Sequence, residues 1–262
     1  MATAGAACER WGKMGESAGE AVPKAWQSVI EHVESRLLSG DLVPGDRLPG
    51  ERVLSVDLGV GRSSVREALR VLEVMGLIRT ATGSGPNAGA IIVATPEGGM
   101  SALMRLQVAA SGFRVADIVR TRLILESAVA GDLARIGGDL TAAAALLDAM
   151  DAPDVTPEEF LALDAAFHLA LASAAGNQVI IATMAGLRHS IETYVRDGAA
   201  RLADWPTMAA RLRGEHRNIV AAIRDGDPDA ASTRTHDHIA GYYAAISLDP
   251  HNTDTAQREE SA

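Results

Sequence analysis

Four side chains in the second half of the sequence have the types and spacing of a metal-binding set. Asp164 and His168 stand four residues apart, so a helix through them carries a carboxylate and an imidazole one turn apart on one face. In that helix the inward stripe is Leu161, Asp164, His168 and Leu171. His216 shares its face with Ile219, Val220 and Ile223, and His238 aligns with Ala231, Thr235, Tyr242 and Ala245. A carboxylate or imidazole on an otherwise apolar face is costly unless it has a partner. Four such groups on three helices can satisfy one another around a divalent cation. Neutral imidazole nitrogen and carboxylate oxygen suit zinc, nickel, manganese or iron. The alternative is a set of hydrogen-bonded core histidines with a cap-forming aspartate, and periodicity alone leaves both open.

A second group lies nearer the N-terminus. Arg62 and Arg66 bracket Ser63 and Ser64 where a helical pattern begins, the place from which a recognition helix reads bases in the major groove. Hydroxyls beside the free amides of a helix start make a seat for phosphate. The glycine-rich run around Gly83, Ser84 and Gly85 can approach a backbone closely. The alternative is a small helical subdomain whose arginines only solvate it.

The elements that position these residues follow from the hydrophobic periods. Trp26, Val29, Ile30, Val33 and Leu37 mark a helix over 24–39, Leu54 and Leu58 a short one over 51–58, and Val65, Leu69 and Leu72 a third over 63–75. Segments 77–80 and 90–93 flank the glycine-rich tip as a hairpin. Three short helices and a hairpin make a winged helix-turn-helix. Segment 95–100 reads as a linker, and beyond it only helical signals occur, at 101–110, 114–136, 139–149, 157–174, 177–203, 207–225 and 228–246. Thr156-Pro157-Glu158-Glu159 and Asp227-Pro228 are helix starts with a cap and a first-turn proline. The expected fold class is mainly α, with an N-terminal winged helix-turn-helix bearing a small β-hairpin wing and a C-terminal all-α helical bundle. The expected boundaries are a disordered leader at 1–21, the DNA-binding domain at 22–94, the linker at 95–100, the bundle at 101–248 and a disordered tail at 249–262.

Composition narrows the class. The 262 residues suit two modest domains. No apolar run approaches the roughly 18 residues of a membrane span, and the first twenty residues have no signal-peptide core. The single cysteine, Cys8, closes no intrachain disulfide, which fits a cytoplasmic protein. A net charge of −10 argues, as an average, against nucleic-acid binding. Its distribution argues otherwise: residues 22–95 hold eight Lys/Arg and eight Asp/Glu, while 96–262 hold 14 and 23. After position 45 every cation of the neutral segment is arginine, the side chain suited to phosphate and guanine. His32 sits with Glu31 on a helix of the first segment, His236 is two residues off the inward stripe, and His189 and His251 lack partners by pattern; all four are expected to be exposed. Trp11, Trp26 and Trp205 are read as packing residues.

The run from Gly45 to Arg52, then Leu58-Gly59-Val60-Gly61-Arg62-Ser63-Ser64-Val65-Arg66-Glu67-Ala68-Leu69, then Leu72-Glu73 and Met75-Gly76-Leu77-Ile78 strongly resembles the DNA-binding domain of GntR-family bacterial transcription regulators. The resemblance covers some 70 residues. It implies that Arg52, Arg62 and Arg66 approach operator bases and that Ser63 and Ser64 approach phosphates. Gly50 and Gly61 depart from the family's Ser or Thr, which removes a side-chain cap from each helix start at a cost of a few tenths of a kcal/mol. It also removes the hydroxyl for a phosphate contact at 61.

In the bundle, Leu163-Asp164-Ala165-Ala166-Phe167-His168 with Ala174-Ala175-Gly176-Asn177, then Glu215-His216 onward to Gly226-Asp227, then His238, resembles the FCD ligand-binding domain of the FadR subfamily. The resemblance implies a metal on Asp164, His168, His216 and His238, often zinc or nickel, and a small organic acid whose carboxylate completes its coordination. Arg122 matches an arginine that can face the effector; its plain alternative is a surface arginine paired with Glu126 four residues on. The expected function is a transcription regulator, in the main a repressor, acting as a homodimer on a pseudo-palindromic operator. Two alternatives stand beside it: a helical-bundle metalloenzyme using the Asp/His3 site, and a DNA-binding protein whose metal is only structural.

Overall fold

The computed structural model describes residues 24–81, 89–93, 96–110 and 112–246. The expected leader and tail, Cys8, Trp11, His251 and the wing-tip residues Gly83, Ser84 and Gly85 lie outside the described residues. The chain separates into two compact units at Ala94 and Thr95.

The first unit holds α1 (Ala25–Leu38), α2 (Glu51–Asp57), α3 (Arg62–Val74), β1 (Ile78–Ala81) and β2 (Gly89–Ile92). Each end falls within one residue of the sequence-based expectation, because every face is written in contiguous periods. The helices bury Val29 and Val33, then Leu54, then Val65, Ala68 and Leu72. Gly59 at φ 63° and Gly76 at φ 74° turn the chain out of α2 and α3 through a left-handed backbone that a Cβ would strain. β1 and β2 pair antiparallel with Ile78 opposite Ile92, both buried. The stretch beyond Pro44 covers the other side of β2: Gly45 and Leu48 amides donate to the Ile92 and Ala90 carbonyls, and the Ile92 amide donates to Asp46. Backbone groups that an edge strand leaves open are thereby occupied.

The second unit holds α4 (Pro96–Ala109), α5 (Val115–Ile136), α6 (Thr141–Met150), α7 (Pro157–Ala175), α8 (Gln178–Ser190), α9 (Glu192–Ala199), α10 (Trp205–Arg224) and α11 (Pro228–Ala245). Three expectations are corrected. The stretch read as a linker at 95–100 is helix from Pro96 on. Proline suits a first turn, and α4 lies so close along α8 that a Cβ on Gly186 would stand 3.5 Å from the Ser101 Cα. That packing outweighs the roughly 1 kcal/mol that each of Gly98 and Gly99 costs a helix. The single helix expected over 177–203 breaks at buried Ile191, where the Ser190 hydroxyl donates to the Leu187 carbonyl and competes with the helical ladder. The helix expected from 207 starts at Trp205, because Asp204 accepts the Thr207 amide and Pro206 fits the first turn.

The expected start at Thr156 is a full capping box: its hydroxyl accepts the Glu159 amide while the Glu159 carboxylate accepts the Thr156 amide. Asp227 accepts the Ala230 amide in the same way at the head of α11. Phe160, Phe167, Leu133, Met150, Leu212 and Ile219 are fully buried and form the centre of the bundle. Trp205 packs edge-on to Phe160 with ring centroids 5.6 Å apart. Ala245, expected on the inner face of α11, is exposed, and Ile246 is buried in its place. Among the described residues no helix is long and apolar enough to cross a membrane.

Candidate functional site

The four residues singled out by spacing meet. Asp164 and His168 come from α7, His216 from α10 and His238 from α11, and one ligand atom of each lies within 4.8 Å of all the others. The Nε2 atoms of His168 and His216 are each 3.2 Å from the Nε2 of His238. Asp164 Oδ1 stands 3.0 Å from His216 Nε2 and 3.7 Å from each of the other two. Asp164 lies mid-helix, so it is no cap. The helical periods that made these residues misfits on apolar faces are what turn all four inward.

The opposite ring nitrogens decide the tautomers. His168 Nδ1 lies 2.7 Å from Glu126 Oε2, and His238 Nδ1 lies 2.8 Å from Glu215 Oε2. Both Nδ1 atoms therefore carry the proton and donate, which leaves each neutral ring with its lone pair at Nε2. Two lone pairs facing at 3.2 Å repel unless a proton or a cation stands between them. Nitrogens about 2.1 Å from one ion stand roughly 3.0–3.4 Å apart in octahedral and tetrahedral arrangements, so the observed spacing fits a first-row divalent metal. Burial pushes His216 down to about 4, keeping it neutral and able to offer a lone pair. Burial also works to raise Asp164, but the three imidazoles gathered around it overcome that and hold the carboxyl well below its usual range. Burial would lower His238, yet the carboxylates of Asp164 and Glu215 on either side of the ring raise it, and a bound cation would take the place of that proton at Nε2.

Behind the histidines lies an ion network that sequence reasoning saw only in part. Glu126 on α5 receives Arg122 Nε at 2.7 Å and Arg188 Nη2 at 3.1 Å as well as His168. Burial works to raise its pKa, and the two guanidinium groups and His168 more than reverse that. Arg122 does pair with Glu126 across one turn, but the pair is inside the bundle, with side chains 7% and 1% exposed; the surface alternative is corrected. A second hydrogen bond joins Arg122 to the Tyr243 hydroxyl. Arg188 was missed. Its signal was a cation four residues beyond buried Met184 on an apolar face of α8, the same misfit that exposed the histidines. Arg188 also reaches Asp164 Oδ2 at 3.4 Å, and its Nε is buried without a partner.

These groups floor a cavity of about 830 Å3, whose walls include Asp164, His168, His238, Arg122, Arg188 and Tyr242. That is within the range of small-molecule sites. His216 is behind the floor and fully buried, against Phe167 at a centroid distance of 4.7 Å. His189 is exposed as expected, but the expectation that it lacks partners is corrected: it meets Arg105 at 2.6 Å and Glu192 at 3.3 Å at the cavity wall. His236 is exposed, and His32 is only half-buried.

In the first unit Arg52, Arg62, Ser63 and Arg66 are exposed and Ser64 is half-buried at the start of α3. Neither Gly50 nor Gly61 supplies a side-chain cap. Of the first-turn amides of α3, that of Ser64 donates to the Gly61 carbonyl, and those of Arg62 and Ser63 are left for an outside acceptor. Arg66 Nε lies 3.2 Å from Glu51 Oε2, an exposed pair that pre-positions the guanidinium rather than adding stability.

Residues 26–86 match the family model described as "Bacterial regulatory proteins, gntR family", and residues 117–241 match the FCD domain. The chain is 30% identical over 226 residues to the HTH-type transcriptional repressor NanR of Klebsiella aerogenes, covering 82% of this chain and 83% of that one. It is 28% identical over 218 residues to the Glc operon transcriptional activator of Escherichia coli, covering 80% and 84%. Among solved structures it is similar to Streptococcus agalactiae GntR, with a TM-score of 0.60, 26% identity and coverage of 82% of this chain and 96% of that one. The first two are transcriptional regulators by name, and none of the three lends support to the metalloenzyme alternative.

Proposed function

This chain belongs to the gntR family of bacterial regulatory proteins and is a DNA-binding transcriptional regulator with an FCD effector domain, and we propose that a small organic acid bound at the Asp164/His168/His216/His238 centre controls its operator affinity. The observation that carries this reading is the convergence of His168, His238 and Asp164 on the floor of a cavity, with His216 directly behind them and two buried arginines beside them.

Arg52, Arg62 and Arg66 read operator bases, and Ser63, Ser64 and the Gly83-Ser84-Gly85 tip approach phosphates. Asp164, His168, His216 and His238 hold a divalent ion, zinc in the first place, with nickel, manganese or iron as alternatives. The chemistry such an ion supplies is a cationic acceptor for a carboxylate oxygen. Glu126 and Glu215 hold the imidazole tautomers that present Nε2 to it. Arg122 lends positive potential to the effector, although its own donors face Glu126 and Tyr243. Arg188, with its buried free Nε, is better placed to donate to the acid directly.

A single winged-helix unit reads only a half-site, so the acting form is a homodimer on a pseudo-palindromic operator in the cytoplasm. Effector releases the operator by favouring a dimer in which the two readers no longer match the half-site spacing, a coupling of about 1–3 kcal/mol. The relatives include both a repressor and an activator, and repression is the sign proposed here.

The test is retardation of the DNA upstream of the protein's own gene. Zinc-loaded protein retards that fragment and a small carboxylate releases it, whereas His216→Ala protein lacks stoichiometric metal and ignores the acid. Elemental analysis showing one metal per His216→Ala chain overturns the ligand set. Release of the fragment by acid from metal-free protein overturns the metal's role in sensing and leaves it a structural part.

A further inference from the structure

The cavity is much longer than a small acid held at its floor. Its lining residues on α7 run from Glu158 to Leu169, a rise of roughly 16 Å at 1.5 Å per residue. Asp164 sits six residues, or about 9 Å, from the Glu158 end. A three-carbon acid reaches only about 4 Å. Its far end would therefore leave most of this space to water.

The far end is charged, and its charges are unequally matched. Arg196 Nη1 faces Glu158 Oε1 at 3.4 Å, so that cation already has a carboxylate. His189 Nδ1 faces Glu192 Oε2 at 3.3 Å, which puts its proton there and its lone pair at Nε2. That lone pair accepts Arg105 Nη1 at 2.6 Å. Arg105 thus meets an imidazole rather than a carboxylate, with Glu192 only beyond that ring, and lines the cavity with four of its five N–H donors to spare. His189 adjoins Arg188 in sequence, so neighbouring residues of α8 serve the two ends: Arg188 at the floor and His189, with Arg105, at the mouth.

From this juxtaposition we infer that the effector is an elongated organic acid with a second anionic group, which Arg105 receives at the mouth while the first carboxylate lies on the floor. The inference rests on the effector reading above and adds the ligand's class and a specificity-determining residue. It also gives the effector a handle on α4, the helix that follows directly on the DNA-reading unit in the chain. Arginine suits this place, since its planar fork receives a carboxylate through two parallel bonds.

Calorimetric titration of the zinc-loaded full chain with glutarate, adipate and suberate, each against the monocarboxylate of equal length, tests this. The expected result is a diacid that binds at least tenfold tighter than its monoacid. Arg105→Ala lowers that diacid to the affinity of the monoacid, and Arg105→Lys, which keeps the charge without the fork, falls between. Equal binding of diacids and monoacids by the unsubstituted chain overturns this inference and leaves the effector reading standing. So does a diacid preference that survives in a folded Arg105→Ala chain. Failure of every acid in both series to bind overturns the effector reading and this inference together.

Discussion

Arg62 and Arg66 stand in solvent on one helix, whereas Arg122 and Arg188 are buried on two others and tied to the same carboxylate. The side-chain type is the same and the physics is opposite. An exposed guanidinium keeps most of its hydration until DNA arrives, even where it meets a surface carboxylate as Arg66 meets Glu51, so its contribution appears in binding and is sensitive to salt. A buried guanidinium has given up its water already. It contributes to folding only while Glu126 is there to receive it, and its loss is felt in stability before it is felt in function. The first unit therefore presents its arginines singly or in exposed pairs, while the second holds a buried, coupled group in which Glu126 connects two arginines and His168.

The largest effect should come from breaking that coupled group. Glu126→Gln leaves Arg122 and Arg188 buried without their carboxylate and should destabilise the bundle by about 3–5 kcal/mol, read by thermal or denaturant unfolding. A melting curve superimposable on the parent's would show that the network is not the unit described here. Next comes the DNA face. Arg62→Ala or Arg66→Ala should each cost about 1–3 kcal/mol of discrimination between operator and unrelated DNA, with unfolding and metal content unchanged. Undiminished discrimination would remove the residue from the base-reading set, and altered metal content would break the independence of the two units. The smallest effect sharpens the comparison from the other side. Gly61 has φ −66° and only the Ser63 hydroxyl, at 3.5 Å, near its missing Cβ, so Gly61→Ser fits without strain. It should restore the N-cap, raising the stability of the first unit by a few tenths of a kcal/mol, and tighten binding to operator and non-operator DNA alike.

The DNA unit was legible almost to the residue because its information is local. Val65, Leu69 and Leu72 give a period, Gly59 and Gly76 give stops, and the arginines are read from their place on one helix. The four-residue cluster was legible through a different sign, the polar misfits Asp164, His168, His216 and His238 on apolar faces. The linker was misread because Gly98 and Gly99 are poor helix formers in isolation, and nothing in their neighbourhood reports that α8 supplies a packing surface. The break at Ile191 escaped notice for a like reason: the period on both sides is helical, and the bend depends on one hydroxyl choosing a carbonyl.

By itself the order of residues determined the two-part plan, the helix that carries Arg62 and Arg66 and the four polar misfits of the bundle, since helical periods, caps and polar misfits are properties of a few consecutive turns. Only the tertiary structure decided that Glu126 stands behind His168 and Glu215 behind His238, that Arg188 joins Arg122 on one carboxylate, and that the cavity runs on to Arg105. Those pairs join residues up to 62 apart in the chain. Their selection is a matter of desolvation: once packing removes water from a charge, it must take whichever partner the neighbouring helix brings, and no local pattern names that partner.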